Sequence, residues 1–213
     1  MKQPLPLLFL AVLATATPAT AQYIFLDTNG DGQCTAADVP DYGDATADVW
    51  LDTAHSADGS PVSCSTGEAL SISAYDVVLQ SNVYGSESFS FRGWTNAIAQ
   101  FTQEVGTAQE GAYFWVGYTS SNAQTFLPPG KYKLGSLAYT RGGTGCLWIY
   151  PAASATISGS AHETDFFSQC LGSNLDYVIR LGADFNDLCA IGSICDDVQQ
   201  TTWGKIKDIY RNR

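Results

Sequence analysis

The sequence predicts a mainly β protein, an antiparallel β-sandwich with an acidic loop near its start and a short helix at its end. Three observations point there. Apolar residues alternate with polar ones in many short stretches, which is the two-residue period of a half-buried strand. Gly, Pro, Asn, Asp and Ser cluster between those stretches as turn signals. A helical period is almost absent before the final residues. The elements follow in chain order.

Residues 1–21 read as an export signal. Met1-Lys2-Gln3 is a short basic start, Leu5 to Leu13 is an apolar run, and Ala19-Thr20-Ala21 offers small residues for cleavage before Gln22. That run is shorter than the ~20 apolar residues a bilayer span needs, and no later stretch comes close. The mature protein is therefore expected to be secreted, extracellular or at a cell surface, with no membrane span after signal cleavage. Tyr23-Ile24-Phe25-Leu26 then reads as a short strand.

The next stretch, Asp27-Thr28-Asn29-Gly30-Asp31-Gly32-Gln33-Cys34-Thr35-Ala36-Ala37-Asp38, places side-chain oxygens at its first, third, fifth, ninth and twelfth positions: Asp27, Asn29, Asp31, Thr35 and Asp38. Gly32 stands sixth, where the chain must turn sharply, and Gln33 can add its backbone carbonyl. A hard cation wants six to eight oxygens at roughly 2.3–2.6 Å, and D-x-N-x-D-G supplies oxygens in that order. Ca²⁺ is the expected cofactor. Asn-Gly and Asp-Gly also make ordinary turns, which is the plainer reading.

This loop resembles the EF-hand-type calcium loop of dockerin modules, which ends in Asp where the calmodulin kind ends in Glu. The resemblance covers the twelve loop residues. Dockerins carry two such loops, each followed by a helix, whereas this chain has one, followed by Val39-Pro40. It therefore implies a structural clip and not a working dockerin that docks to a cohesin. In paired loops the eighth position is aliphatic; here it is Cys34, which is expected to hold the loop through a disulfide to Cys64.

Beyond a turn-rich link at 41–44, strands are expected at 47–52, 70–80, 88–92, 98–105, 112–118, 131–141 (with a bulge at Gly135-Ser136) and 146–150. Tyr75, Val77 and Leu79 fall on one face, and Phe89 and Phe91 point inward. In the loop at 53–67, Asp52, Asp58 and the carbonyls near Gly59 could make a second, irregular cation site, or the loop is simply solvated. Residues 161–170 read as a short helix or loop, and 177–181 as a strand. The order of strands resembles the jelly-roll or cohesin-like and carbohydrate-binding sandwiches of secreted bacterial proteins, in pattern only.

At the end, Trp203, Ile206 and Ile209-Tyr210 fall at helical spacing behind a Thr201 or Thr202 cap, predicting an amphipathic helix that packs on the sandwich or serves as a handle for an assembly machine. The expected organisation is 1–21 signal peptide, 22–44 calcium-loop segment, 45–182 sandwich, and 183–213 disulfide loop and helix.

Six cysteines in an exported chain imply three disulfides among Cys34, Cys64, Cys146, Cys170, Cys189 and Cys195. Fifteen pairings exist; sequence neighbours favour Cys34–Cys64, Cys146–Cys170 and Cys189–Cys195. No C-x-x-C pair exists, so a metal role for them is disfavoured. The formal charge of -11 repels nucleic acid and anionic lipid and suits a holder of divalent cations.

Catalytic motifs are missing. There is no G-x-S-x-G elbow, and His55 and His162 lie in polar sequence. A jelly-roll glycosidase needs two carboxylates facing one cleft, and Glu104 and Glu110, the glutamates nearest aromatic strands, are separated by a turn. The expectation is a non-enzymatic structural or adhesive module stabilised by calcium and disulfides. One alternative is a carbohydrate-binding module, with Tyr113, Trp115, Tyr118 and Trp148 stacking on a glycan; Tyr150 lies with them, and core packing is the plainer role for all five. Another is a module that docks a second cell-surface protein.

Overall fold

The structure is a computed structural model and describes residues 22–63, 70–122, 125–170, 176–184 and 186–192. The C-terminal helix expected over 201–213 lies outside them, as do Cys64 and Cys195.

Two sheets pack face to face. The first contains β1 (Tyr23–Asp27), β2 (Gly43–Asp52), β4 (Ser88–Asn96), β7 (Lys131–Gly142) and β13 (Asp187–Cys189), in the order β13-β1-β2-β7-β4. The second contains β3 (Leu70–Gly85), β5 (Gln103–Glu110), β6 (Tyr113–Thr119), β8 (Gly145–Ala152), β11 (Asp165–Cys170), β12 (Asp176–Arg180) and β14 (Ile191–Gly192). A small hairpin, β9 (Ser154–Ile157) with β10 (Ser160–Glu163), links β8 to β11. Pairing is antiparallel apart from β1 with β13.

Alternation decides which side chains meet between the sheets. Ile24, Leu26, Val49 and Leu51 come from the first sheet, and Tyr75, Val77, Leu79, Phe114, Val116, Leu147 and Ile149 from the second; all are essentially buried in one core. Phe89 and Phe91 meet edge to face at 4.8 Å on the inner side of β4, as their spacing predicts. The bulge expected near Gly135 is present one residue earlier: Val49 pairs with Gly135 and Trp50 with Lys133, leaving Leu134 extra. A Cβ on Gly135 would stand 2.3 Å from the Trp94 ring, so the bulge needs glycine there.

Two sequence expectations are corrected. The strand expected at 98–105 begins only at Gln103. Ile98 and Phe101 are drawn into the core by the turn between them, where Phe101 N donates to Ile98 O at 3.1 Å and the Asn96 amide donates to both carbonyls. The helix or loop expected at 161–170 is β10 and β11. Phe166 and Ser168 alternate inward along β11, a period that its six residues could not separate from a helical one.

The long β3 changes partner along one edge. Its first part, Leu70–Asp76, pairs with β11, and its last part, Val78–Gly85, with β8, while β6 holds the other edge. Among the described residues, the short hairpin packs beside β3, β5 and β6 of the second sheet.

Candidate functional site

The acidic loop runs out of β1 and folds back over the outer face of the first sheet. A Cβ built on Gly32 would lie 3.6 Å from the Trp50 ring and 3.7 Å from Lys131 Nζ. Gly30 (φ +77°) and Gly32 (φ +70°) are both left-handed, a conformation nearly free of cost only for glycine. Side-chain oxygens are turned by local hydrogen bonds. Gly30 N and Gly32 N donate to the two oxygens of Asp27, each at 2.7 Å. Asp31 N donates to Asn29 Oδ1 at 2.9 Å, Gln33 N to Asp31 Oδ1 at 2.8 Å, and Ala37 N to Thr35 Oγ1 at 3.2 Å. Asp38 closes the loop, accepting from Thr28 N at 2.9 Å and Thr35 N at 2.7 Å.

Asp27 and Asp38 are buried at the floor, and Asn29, Asp31, Gln33 and Thr35 form an exposed rim. Burial pushes the Asp38 carboxyl up, but the N–H donors of Thr28, Thr35 and Asn29 outweigh it and hold it below the ordinary carboxylate value. Among the described residues no three His, Cys, Asp or Glu side chains stand together as a metal-holding group. The loop's donor set is nevertheless all oxygen: the two Asp27 oxygens, Asn29 Oδ1 and Asp31 Oδ1 each accept one N–H and keep a second lone pair, whereas each Asp38 oxygen already accepts more than one donor. Its chemistry fits a hard cation.

The loop is tied to the far end of the chain. Cys34 is bonded to Cys189 on β13, 155 residues later, which overturns the expected Cys34–Cys64 and Cys189–Cys195 pairs. Parallel pairing of β13 with β1 brings Cys189 opposite Phe25, beside the loop, a long-range contact that sequence proximity cannot show. Cys146 and Cys170 are both disulfide-bonded, but not to each other as expected. They pair with Tyr84 and Leu70 at opposite ends of β3, roughly 45 Å apart at ~3.3 Å per residue.

The second acidic loop serves its own turns. Asp52 accepts from Ala54 N and His55 N, and Asp58 from Ser56 Oγ and Ser60 N. Those Ser56 and Ser60 hydrogen bonds hold the Asp58 carboxyl down at about 2.

The aromatic residues divide between the two faces. Tyr118 turns inward and lies 5.9 Å from the core ring of Tyr75. Tyr113 and Trp115 alternate to the outer face, opposite Gln80 and Val78 of β3. Trp115 is enclosed: a Cβ on Gly106 would stand 2.9 Å from its ring, and His162 stacks on it at 4.1 Å. Trp148 is 43% exposed and lies across Gly192, where a Cβ would come within 2.3 Å of its ring. Between Trp148 and Tyr113 the register places Asn82, Tyr150 and Gln80, and Asn82 donates to the Tyr150 hydroxyl at 3.1 Å. Of the four aromatics singled out from sequence, Tyr113 and Trp148 thus share an outer strip of aromatics and amides, and Trp115 borders it.

Beside this strip is a cluster that sequence reasoning missed. Asp76 on β3 and Asp165 on β11 are directly paired, in a cleft of about 420 Å³ lined also by Val105, Trp115, His162 and Glu163. Trp115 Nε1 donates to Asp76 at 3.0 Å, and the nearby cation, Arg180, is committed to Glu163 at 2.9 Å. Burial, then the charge of Asp76, pushes the Asp165 carboxyl up to about 6; burial likewise raises Asp76. Two such carboxyls can hold one proton between them. The sequence signal was Asp76 standing between the inward-facing Tyr75 and Val77 of β3.

No protein-family model matches this chain, and no curated protein matches it. Solved structures similar to it include cohesin modules. One, from the family 33 glycoside hydrolase of Clostridium perfringens, is 10% identical with a TM-score of 0.44, covering 70% of this chain and 94% of that one. A non-cellulosomal cohesin from the archaeon Archaeoglobus fulgidus is 10% identical with a TM-score of 0.41, covering 85% and 96%. The second type II cohesin module of an adaptor scaffoldin from Acetivibrio cellulolyticus is 12% identical with a TM-score of 0.45, again covering 85% and 96%.

Proposed function

We propose that this protein is an exported, non-catalytic β-sandwich module that takes up Ca²⁺ at the Asp27–Asp38 loop, where the ion stabilises the fold. One observation carries the reading: the loop's carboxylate, amide and hydroxyl groups are already turned by five short-range hydrogen bonds, and Cys34–Cys189 holds the loop to the sheet. Asp27, Asn29, Asp31, Thr35, Asp38 and the Gln33 carbonyl would supply the oxygens. The ion would neutralise three carboxylates on an acidic chain and add its binding free energy to folding. Extracellular sites of this kind bind at ~10⁻⁴–10⁻³ M, suited to ambient calcium and not to signalling.

The test is thermal unfolding in millimolar CaCl₂ and in excess EDTA, beside Asp27→Ala/Asp31→Ala. Calcium should raise the wild-type midpoint by several degrees and leave the double variant unchanged. A wild-type midpoint indifferent to calcium rejects the site. The exposed rim of the loop also supports docking of a second protein, and in that case excess EDTA releases the partner.

Glycan binding is the second reading, supported by the Trp148–Asn82–Tyr150–Gln80–Tyr113 strip. Flat rings meet the apolar faces of sugars while amides meet hydroxyls. Retention on an insoluble neutral glycan, lost in Trp148→Ala but kept in Tyr118→Phe, is its expected signature.

A further inference from the structure

Gln22 stands immediately before β1 and is 1% exposed, yet among the described residues neither its side-chain nitrogen nor its side-chain oxygen has a hydrogen-bond partner. Buried amides are almost always paired, so a fully unpaired one calls for a chemical explanation. Among the described residues, only Trp50 Nε1 and one carboxylate oxygen of Glu87 are likewise buried and unpartnered. Gln22 also follows Ala19-Thr20-Ala21, the small residues expected to direct signal cleavage. Cleavage there adds a second difficulty. A free α-amino group titrates near 7.7–8.0 and is charged at neutral pH, and a buried charge is costlier than a buried amide.

We propose that Gln22, once it becomes the N-terminal residue, is converted to pyroglutamate. The inference rests on the export reading. The neutral α-amine attacks Cδ of the same residue's carboxamide. An N–Cδ bond forms, the Cδ–Nε2 bond breaks, and the leaving nitrogen takes a proton from the attacking amine and departs as ammonia. No electrons are transferred and no co-reactant is needed. The ammonium and the amide NH₂ both disappear, and a compact lactam with one N–H and one C=O remains. Ring closure needs the α-amine and side chain free to curl together, so it precedes the seating of β1 between β2 and β13. Among the described side chains, the acidic one beside the start of β1 is Asp52, paired with Tyr23, and its carboxylate accepts from Ala54 N and His55 N.

The experiment is mass spectrometry of the N-terminal peptide from the full chain exported with its own leader, together with thermal unfolding of Gln22→Ala. The expected peptide begins at residue 22, is lighter than the glutamine form by one ammonia, and has no free α-amine. The variant, which keeps the ammonium, should unfold at a lower temperature than wild type at neutral pH, with the gap closing as pH rises past about 8. A peptide that begins at residue 22 with an intact glutamine overturns cyclisation while leaving export standing. A peptide that begins elsewhere overturns both. A gap independent of pH overturns the link between burial and loss of charge.

Discussion

Thr164 Oγ1 accepts a hydrogen bond from Val78 N at 2.9 Å and donates to Ala152 O at 2.6 Å, at the point where β3 leaves β11 for β8. A strand that changes partner leaves a backbone donor and acceptor with no ladder to join, and one buried hydroxyl satisfies both. Thr164→Val keeps the shape and removes the hydroxyl's lone pairs and proton. It should cost about 1–3 kcal/mol, the penalty for stranding buried polar groups. Thr164→Ser should recover most of it. Urea unfolding of the two variants checks this.

The paired carboxyls predict an unusual pH response. Because the folded state raises Asp165 to about 6, the fold favours its protonated form. That contribution is fully present below the ordinary carboxylate value and is lost as pH rises through about 6. Asp38 is lowered and works in the opposite sense, losing its contribution only as pH falls below the ordinary value. Thermal midpoints measured in EDTA should therefore fall between about pH 4 and pH 7 in the wild type and stay flatter in Asp165→Asn. Parallel profiles for the two proteins would show that the pair does not titrate in this range.

Arg141 lies at the end of β7 with its side chain 2% exposed, paired with a fully buried Glu87 and donating to the carbonyl of Pro40 just past the acidic loop. Its guanidinium also lies 3.9 Å from the centre of the Tyr42 ring. Arg141→Leu leaves the Glu87 charge uncompensated and should cost about 3–5 kcal/mol by denaturant unfolding. Arg141→Leu/Glu87→Leu should restore part of that loss, because the buried charge goes with its partner.

The covalent tie makes a further prediction. Cys34→Ser/Cys189→Ser should lower stability by about 2–5 kcal/mol, as a long closed loop is released in the unfolded chain. Non-reducing peptide mapping should return Cys34–Cys189. It should find Cys146 and Cys170 joined to Cys64 and Cys195, never to each other.

Much of the fold was legible because strand chemistry is local. Tyr75, Val77 and Leu79 alternate inward as their spacing says, and Phe89 and Phe91 do the same. The acidic loop was legible for the same reason: the oxygens of Asp27, Asn29 and Asp31 are arranged by hydrogen bonds that span two to five residues, and even the closing bond from Thr28 to Asp38 spans only ten. The segment at 161–170 failed because it is too short for its period to discriminate. The one at 98–105 failed because core packing of Ile98 and Phe101 makes a turn look like a strand.

What the sequence determined by itself was therefore the kind of fold, the place of most strands, and the oxygen-rich loop with its glycines. What only the tertiary structure decided was everything that depends on which strands become neighbours. Cys34 finds Cys189 because β13 joins β1 in parallel. Asp76 meets Asp165, and Trp148 and Tyr113 share one surface while Tyr118 faces the core, through the pairing of β3 with β11, β8 and β6. Alternation tells each strand which side chains share a face. It carries no information about the strand that will lie beside it, because backbone hydrogen bonds are the same for every partner.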